Sequence, residues 1–130
     1  MSAIAASGAD AAFGVTSFID QFEHFYQLHQ PLTTEAIAFE SAMSTLPLGG
    51  GLDFPESQYE GIVGGTGPGT YDDPWIGPQE DCGWRSGAAH ILVVATDASA
   101  HSSADGAPYM NDAASAIAAM TAQDVKLIGL

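Results

Sequence analysis

The feature that most constrains this chain is the unbroken apolar run His90-Ile91-Leu92-Val93-Val94-Ala95-Thr96, closed by Asp97. A continuous run of β-branched and aliphatic residues suits a central parallel strand buried on both faces, because alternation is lost when neither face meets water. An acidic residue at the carboxyl end of such a strand stands where open α/β sheets bind their ligands. The remaining elements are read around that strand.

Residues 11–19 are β-branched and aromatic with few charges and read as a strand that Asp20 ends. Phe25 to His29 alternates and pairs with it as a hairpin. Thr33 or Thr34 caps a helix running to about Leu46, and Pro47 with the following glycines stops it. A second helix starts at Pro55 and runs to about Val63. Gly64 to Gly87 is rich in glycine and proline and reads as one long loop. Asp112 caps an Ala-rich helix over 113–122, and a last strand covers Val125 to Leu130. Strands alternating with helices predict an α/β domain: an open, mostly parallel, Rossmann-like sheet flanked by helices, with all 130 residues in one unit.

Charge excludes whole classes of function. Sixteen Asp and Glu face only Arg85 and Lys126, a net charge of −14 that repels nucleic-acid backbones and anionic membranes. The same charge suits divalent cations, basic partners, or a surface adapted to high salt. Cys82 is the single cysteine, which excludes an intrachain disulfide and a cysteine-based zinc site. The N-terminal stretch lacks the basic region of a signal peptide, and no apolar run is long enough to span a membrane.

Asp20, Asp53, Glu56 and Asp97 each fall at an element end. Carboxylates gathered at one sheet edge repel one another unless a cation neutralises them, and oxygen-only ligands select Mg²⁺, Ca²⁺ or Mn²⁺. Taken singly, each is also an ordinary cap or loop end.

Other features carry less chemistry. Gly64 to Thr70 lacks the Lys-Ser/Thr of a phosphate loop. The stretch from Asp97 through Asp105 and Gly106 misses the twelve-residue calcium-loop pattern with its terminal Glu. His101 is read as a plain loop histidine in preference to a residue that orients a ligand. Cys82 has only Arg85 as a basic neighbour in sequence, and no Ser-His-Asp or Cys-His set has supporting context, so no catalysis is expected. Asp97 as a phospho-acceptor lacks the accompanying acidic pair and lysine. Trp84 is expected to be buried, while Trp75 is left open between burial and recognition.

Four segments carry a family resemblance. Gly-Gly-Gly-Leu-Asp-Phe-Pro-Glu-Ser (49–57) resembles the Asn-Leu-Asp-x-Pro-Glu segment of the integrin β-subunit von Willebrand factor A (βI) domain. Gly83-Trp84-Arg85, then the strand from His90 and Thr96-Asp97-Ala98 through Gly106, is similar to that family's Gly-Trp-Arg, strand and Thr-Asp-Ala series. Phe13 to Asp20 resembles its Phe-Gly-x-Phe-Val-Asp strand, and Asn111-Asp112 a later Asn-Asp pair. The matches run in family order over nearly the whole chain.

The resemblance implies a von Willebrand A fold and an adhesion module that meets a partner protein's carboxylate through a bound Ca²⁺ or Mg²⁺, with Mn²⁺ as a substitute. It implies that Glu56 and Asp97 ligate the metal-ion-dependent adhesion site. It also implies that Asp20, Asp53, the Pro55 carbonyl and Glu56 hold the adjacent calcium, with Glu56 bridging both ions. An extracellular or cell-surface location follows from the same likeness. The departures are specific. The family's first-strand Asp-x-Ser-x-Ser has no counterpart, Gly51 replaces an Asn ligand, the third ion site is missing, and the loop over 64–81 is longer, as in bacterial relatives. The chain therefore reads as an internal piece or a stripped-down version of the domain. An open sheet edge that favours self-association is expected where the first strand would lie. The alternative reading is a structural remnant without a working metal site, acting only within a larger chain or assembly.

Overall fold

The computed structural model describes residues 8–47, 49, 54–67 and 69–130. Its strands are β1 Phe13–Ser17, β2 Gln27–Thr33, β3 Tyr71–Asp73, β4 Gly77–Gln79, β5 His90–Val94 and β6 Val125–Gly129. Its α-helices are α1 Ala36–Ser44, α2 Gln58–Thr66 and α3 Ala113–Ala122, with a short 3₁₀ turn at Ser103–Asp105.

The expected α/β character is present, but the open, mostly parallel sheet is not found among the described residues. Three two-stranded sheets take its place: β1 with β2 and β3 with β4, both antiparallel, and β5 with β6, parallel. The β1–β2 hairpin follows the sequence reading. Its ladder is irregular around Val15, where Gly14 lies so close to β2 that an added Cβ would sit 2.9 Å from the Gln30 carbonyl oxygen. Such an irregularity bends the strand and interrupts regular pairing.

β2 runs to Thr33, which pairs with Phe13, and the Thr33 hydroxyl accepts the Glu35 N–H at 3.1 Å ahead of the helix rather than an N–H of its first turn. α1 accordingly starts after Glu35, without a side-chain cap bond, and Phe39 packs against Phe13 with ring centroids 5.5 Å apart. α2 starts at Gln58 rather than Pro55, because Glu56 is engaged in a β-bridge with Ala100. It runs past Val63 because its glycines admit neighbours: the Tyr26 ring occupies the space beside Gly64 and the Phe18 ring that beside Gly61. Close packing there offsets the poor helix propensity of glycine.

The long loop contains the β3–β4 hairpin, and a buried carboxylate fastens it to the core. Asp73 accepts the Phe25 and Tyr26 N–H groups at 2.7 and 2.9 Å on one oxygen and those of Trp75 and Ile76 at 2.9 and 3.1 Å on the other. Four backbone donors are thereby satisfied by one side chain. Val15, Ile19, Phe25, Tyr26, Ile62, Tyr109, Ala116 and Val125 form the buried apolar core, and the Cys82 thiol lies inside it 3.0 Å from the Tyr26 hydroxyl.

β5 is not buried on both faces. Ile91 and Val93 are 53% and 54% exposed, as are Leu127 at 44% and Ile128 at 47% on β6. Among the described residues, β5 pairs with β6 alone, in register from His90 with Val125 to Val94 with Gly129. The apolar run that predicted a sandwiched strand instead leaves an apolar surface. α3 and its Asp112 cap form as expected: the Asp112 carboxylate accepts the Ser115 N–H at 2.9 Å, and the Ser115 hydroxyl accepts the Asp112 N–H at 2.8 Å.

Candidate metal centre

Backbone hydrogen bonds stitch three distant segments into one corner. The Ser57 N–H donates to the Ile19 carbonyl at 3.0 Å and the Ser57 hydroxyl to the same oxygen at 3.1 Å, tying the start of α2 to the end of β1. The Glu56 N–H donates to Ser99 O, and the His101 N–H to Glu56 O, each at 2.8 Å. The Gln58 side-chain amide adds a bond to the Ala98 carbonyl at 2.8 Å. Asp20, Pro55, Glu56 and Asp97 therefore all lie on joined segments. Asp53 lies outside the described residues.

Asp20 is fully buried and accepts a hydrogen bond from the Tyr109 hydroxyl. The His101 ring stacks on Tyr109, with centroids 3.9 Å apart, and its Nε2 stands 4.0 Å from Asp20 Oδ1. On its other side His101 Nδ1 is 3.4 Å from Asp105. His101 is thus a buried residue between two carboxylates, which corrects its reading as a plain loop histidine. The sequence signal that points to it is its place four residues after Asp97 in the Thr-Asp-Ala series.

Glu56 is half-buried, and its carboxyl is pushed above the usual glutamate range. Burial is the first cause, followed by the negative charges of Asp20, Asp97 and Glu23, with His101 acting in the opposite sense. Mutual repulsion of this kind is what an added cation relieves. Neither basic residue supplies the relief: Arg85 pairs with Asp10 at 3.0 Å and Lys126 with Asp124 at 2.5 Å, both on the surface. Glu23 was not anticipated. The Asp20–Glu23 turn, closed by a 3.2 Å bond from the Glu23 N–H to the Asp20 carbonyl, brings it there.

The carboxylates are electrostatic neighbours rather than a ready ligand set. Among the described residues, no three His, Cys, Asp or Glu side chains are grouped closely enough to hold one ion. Over 81 residues, 62% of its length, the chain is 31% identical to integrin beta-PS of Drosophila melanogaster. Over that stretch it is similar to an integrin β subunit. The chain spans 8% of that protein's length. No known family's sequence profile matches the chain, and no solved structure does. No described helix is long and apolar enough to cross a membrane.

A second carboxylate carries a structural load. Glu60 on α2 is 3% exposed and accepts the Met110 and Asn111 N–H groups at 2.6 and 2.8 Å, the Asn111 side-chain amide, and the Tyr71 hydroxyl at 3.0 Å. It joins α2 to the segment before α3 and to β3. Trp84 donates its indole N–H to the Gly65 carbonyl at 2.9 Å and is half-buried, while Trp75 lies against the exposed Phe22 with centroids 4.7 Å apart.

Proposed function

We propose that this chain is an integrin-β-like adhesion module whose corner of Asp20, Glu56 and Asp97, completed by Asp53 and the Pro55 carbonyl, binds Ca²⁺ or Mg²⁺ and through the ion a carboxylate of a partner protein. The observation that carries the reading is the set of main-chain bonds that joins the segments bearing Asp20, Glu56 and Asp97, where burial first and then the charges of Asp20, Asp97 and Glu23 raise the Glu56 carboxyl. Similarity to integrin beta-PS supports the adhesion setting. In this reading no bond is made or broken. The ion neutralises the corner and keeps one coordination position for the partner's oxygen. Thermal unfolding of cation-stripped protein tests it: added Ca²⁺ or Mg²⁺ raises Tm in the wild type and not in Asp97→Asn, whereas an unchanged wild-type Tm contradicts it.

A second reading has an observation of its own. The apolar β5–β6 surface, with Ile91 and Val93 more than half exposed, suits a segment that completes its sheet within a larger assembly or against another copy. In that reading the corner is structural and cations leave stability unchanged.

A further inference from the structure

Ser17 ends β1, opposite Gln27 of β2, and His29 lies two residues along β2 on the same face as Gln27, within diagonal reach. The connection between the strands folds back through a 3.0 Å bond from the Ile19 N–H to the His24 carbonyl, which returns His24 to the same spot. The result is two imidazoles converging on one hydroxyl: His24 Nε2 and His29 Nε2 each lie 2.7 Å from Ser17 Oγ. The rings meet edge to face with centroids 6.5 Å apart, and His24 is 5% exposed.

We propose that His24, His29 and Ser17 form a binding site for a borderline divalent transition ion, Zn²⁺ in the first instance, separate from the carboxylate corner. A hydroxyl has one proton, so in the metal-free state Ser17 donates to at most one imidazole and accepts from any ring that carries its proton on Nε2. A ring protonated on Nε2 presents that nitrogen's lone pair to the shared centre once the proton moves to Nδ1, a change of tautomer that leaves the ring neutral and releases no proton. Burial lowers the proton affinity of both rings, which favours the neutral imidazole that a metal ligand requires. Glu23 and Asp73 are the negative charges that face His24, and the net charge of −14 draws cations toward the whole surface. Nitrogen donors select Zn²⁺, Ni²⁺ or Cu²⁺ over Ca²⁺ and Mg²⁺, which take oxygen. Zinc–nitrogen bonds are about 2.0–2.1 Å long, so the rings draw in around the ion. The Ser17 hydroxyl and water complete the coordination.

The test is calorimetric titration of Zn²⁺ into chelator-treated protein in a non-chelating buffer at neutral pH, with excess Ca²⁺ present to occupy carboxylates. One Zn²⁺ per chain is expected. In His29→Gln, a half-buried position, the affinity falls by about tenfold or more, while Glu56→Gln retains it. Nitrogen-15 NMR of the imidazoles gives a second readout, with Nε2 of both rings shifting on Zn²⁺ addition. The absence of saturable Zn²⁺ binding, or binding undiminished in His29→Gln, overturns the proposal. Because Glu56→Gln is the variant that disables the carboxylate corner, failure of one site is distinguishable from failure of the other.

Discussion

The His101 N–H donates to the Glu56 carbonyl at 2.8 Å and, with the Glu56 N–H bond to the Ser99 carbonyl, holds the segment before α2 against the segment after β5. Main-chain bonds, with the Ser57 hydroxyl and the Gln58 amide, assemble the corner, and burial followed by the charges of Asp20, Asp97 and Glu23 raises the Glu56 carboxyl.

The raised Glu56 carboxyl has a pH signature. A carboxyl whose folded-state pKa is raised contributes stability that is fully present below the ordinary glutamate range and lost as pH rises through the raised value. In cation-free buffer, Glu56→Gln should therefore raise Tm at pH 7 by about one to three degrees and flatten the dependence between pH 4 and 7. Melting curves of the two proteins across that range check this.

Glu60 is held by donors on both oxygens: the Met110 and Asn111 N–H groups on one, the Tyr71 hydroxyl and the Asn111 amide on the other. Glu60→Gln places an amide against N–H groups and should cost about 2–4 kcal/mol in chemical denaturation, with α2 and the segment before α3 separating first in hydrogen exchange. A loss below about 0.5 kcal/mol would contradict the bond pattern seen around it.

Asp73→Asn replaces one acceptor oxygen with a donor facing either the Phe25 and Tyr26 or the Trp75 and Ile76 N–H groups. It should destabilise the protein by about 1–3 kcal/mol and loosen the β3–β4 hairpin, read as faster amide exchange at Trp75 and Ile76.

The β5–β6 surface predicts association. At high protein concentration, with salt added to screen the net charge, sedimentation velocity should detect dimers or larger species, and Val93→Asp should return the chain to monomer. A wild type that stays monomeric under those conditions counts against an apolar docking role for this face.

Much of the secondary structure was legible because it is locally encoded. Asp112 with Ser115 makes a reciprocal cap, the β1–β2 pair is a hairpin, and β5 and β6 flank α3 as a parallel pair. What misled was long-range. The start of α2 is set by the bridge of Glu56 to Ala100, the end of α2 by Tyr26 against Gly64, and the hairpin inside the glycine-rich stretch by Asp73 reaching back to Phe25. None of these leaves a periodic trace. The apolar run at β5 misled for a different reason: hydrophobicity reports a preference for burial, not the presence of something to bury against. In the corner, Asp20, Glu56 and Asp97 are candidates by their places at element ends, whereas the positions of Glu23 and His101 depend on a turn and a crossing that sequence spacing does not express.

The most direct test of the account is calorimetric titration of Ca²⁺ and of Mg²⁺ into cation-stripped wild type and Glu56→Gln. Saturable binding by the wild type, with stabilisation of about 2.7 kcal/mol at a hundredfold excess over Kd and both effects lost in the variant, is the predicted result. Absence of heat and of stabilisation with either ion, or equal binding by Glu56→Gln, would contradict it.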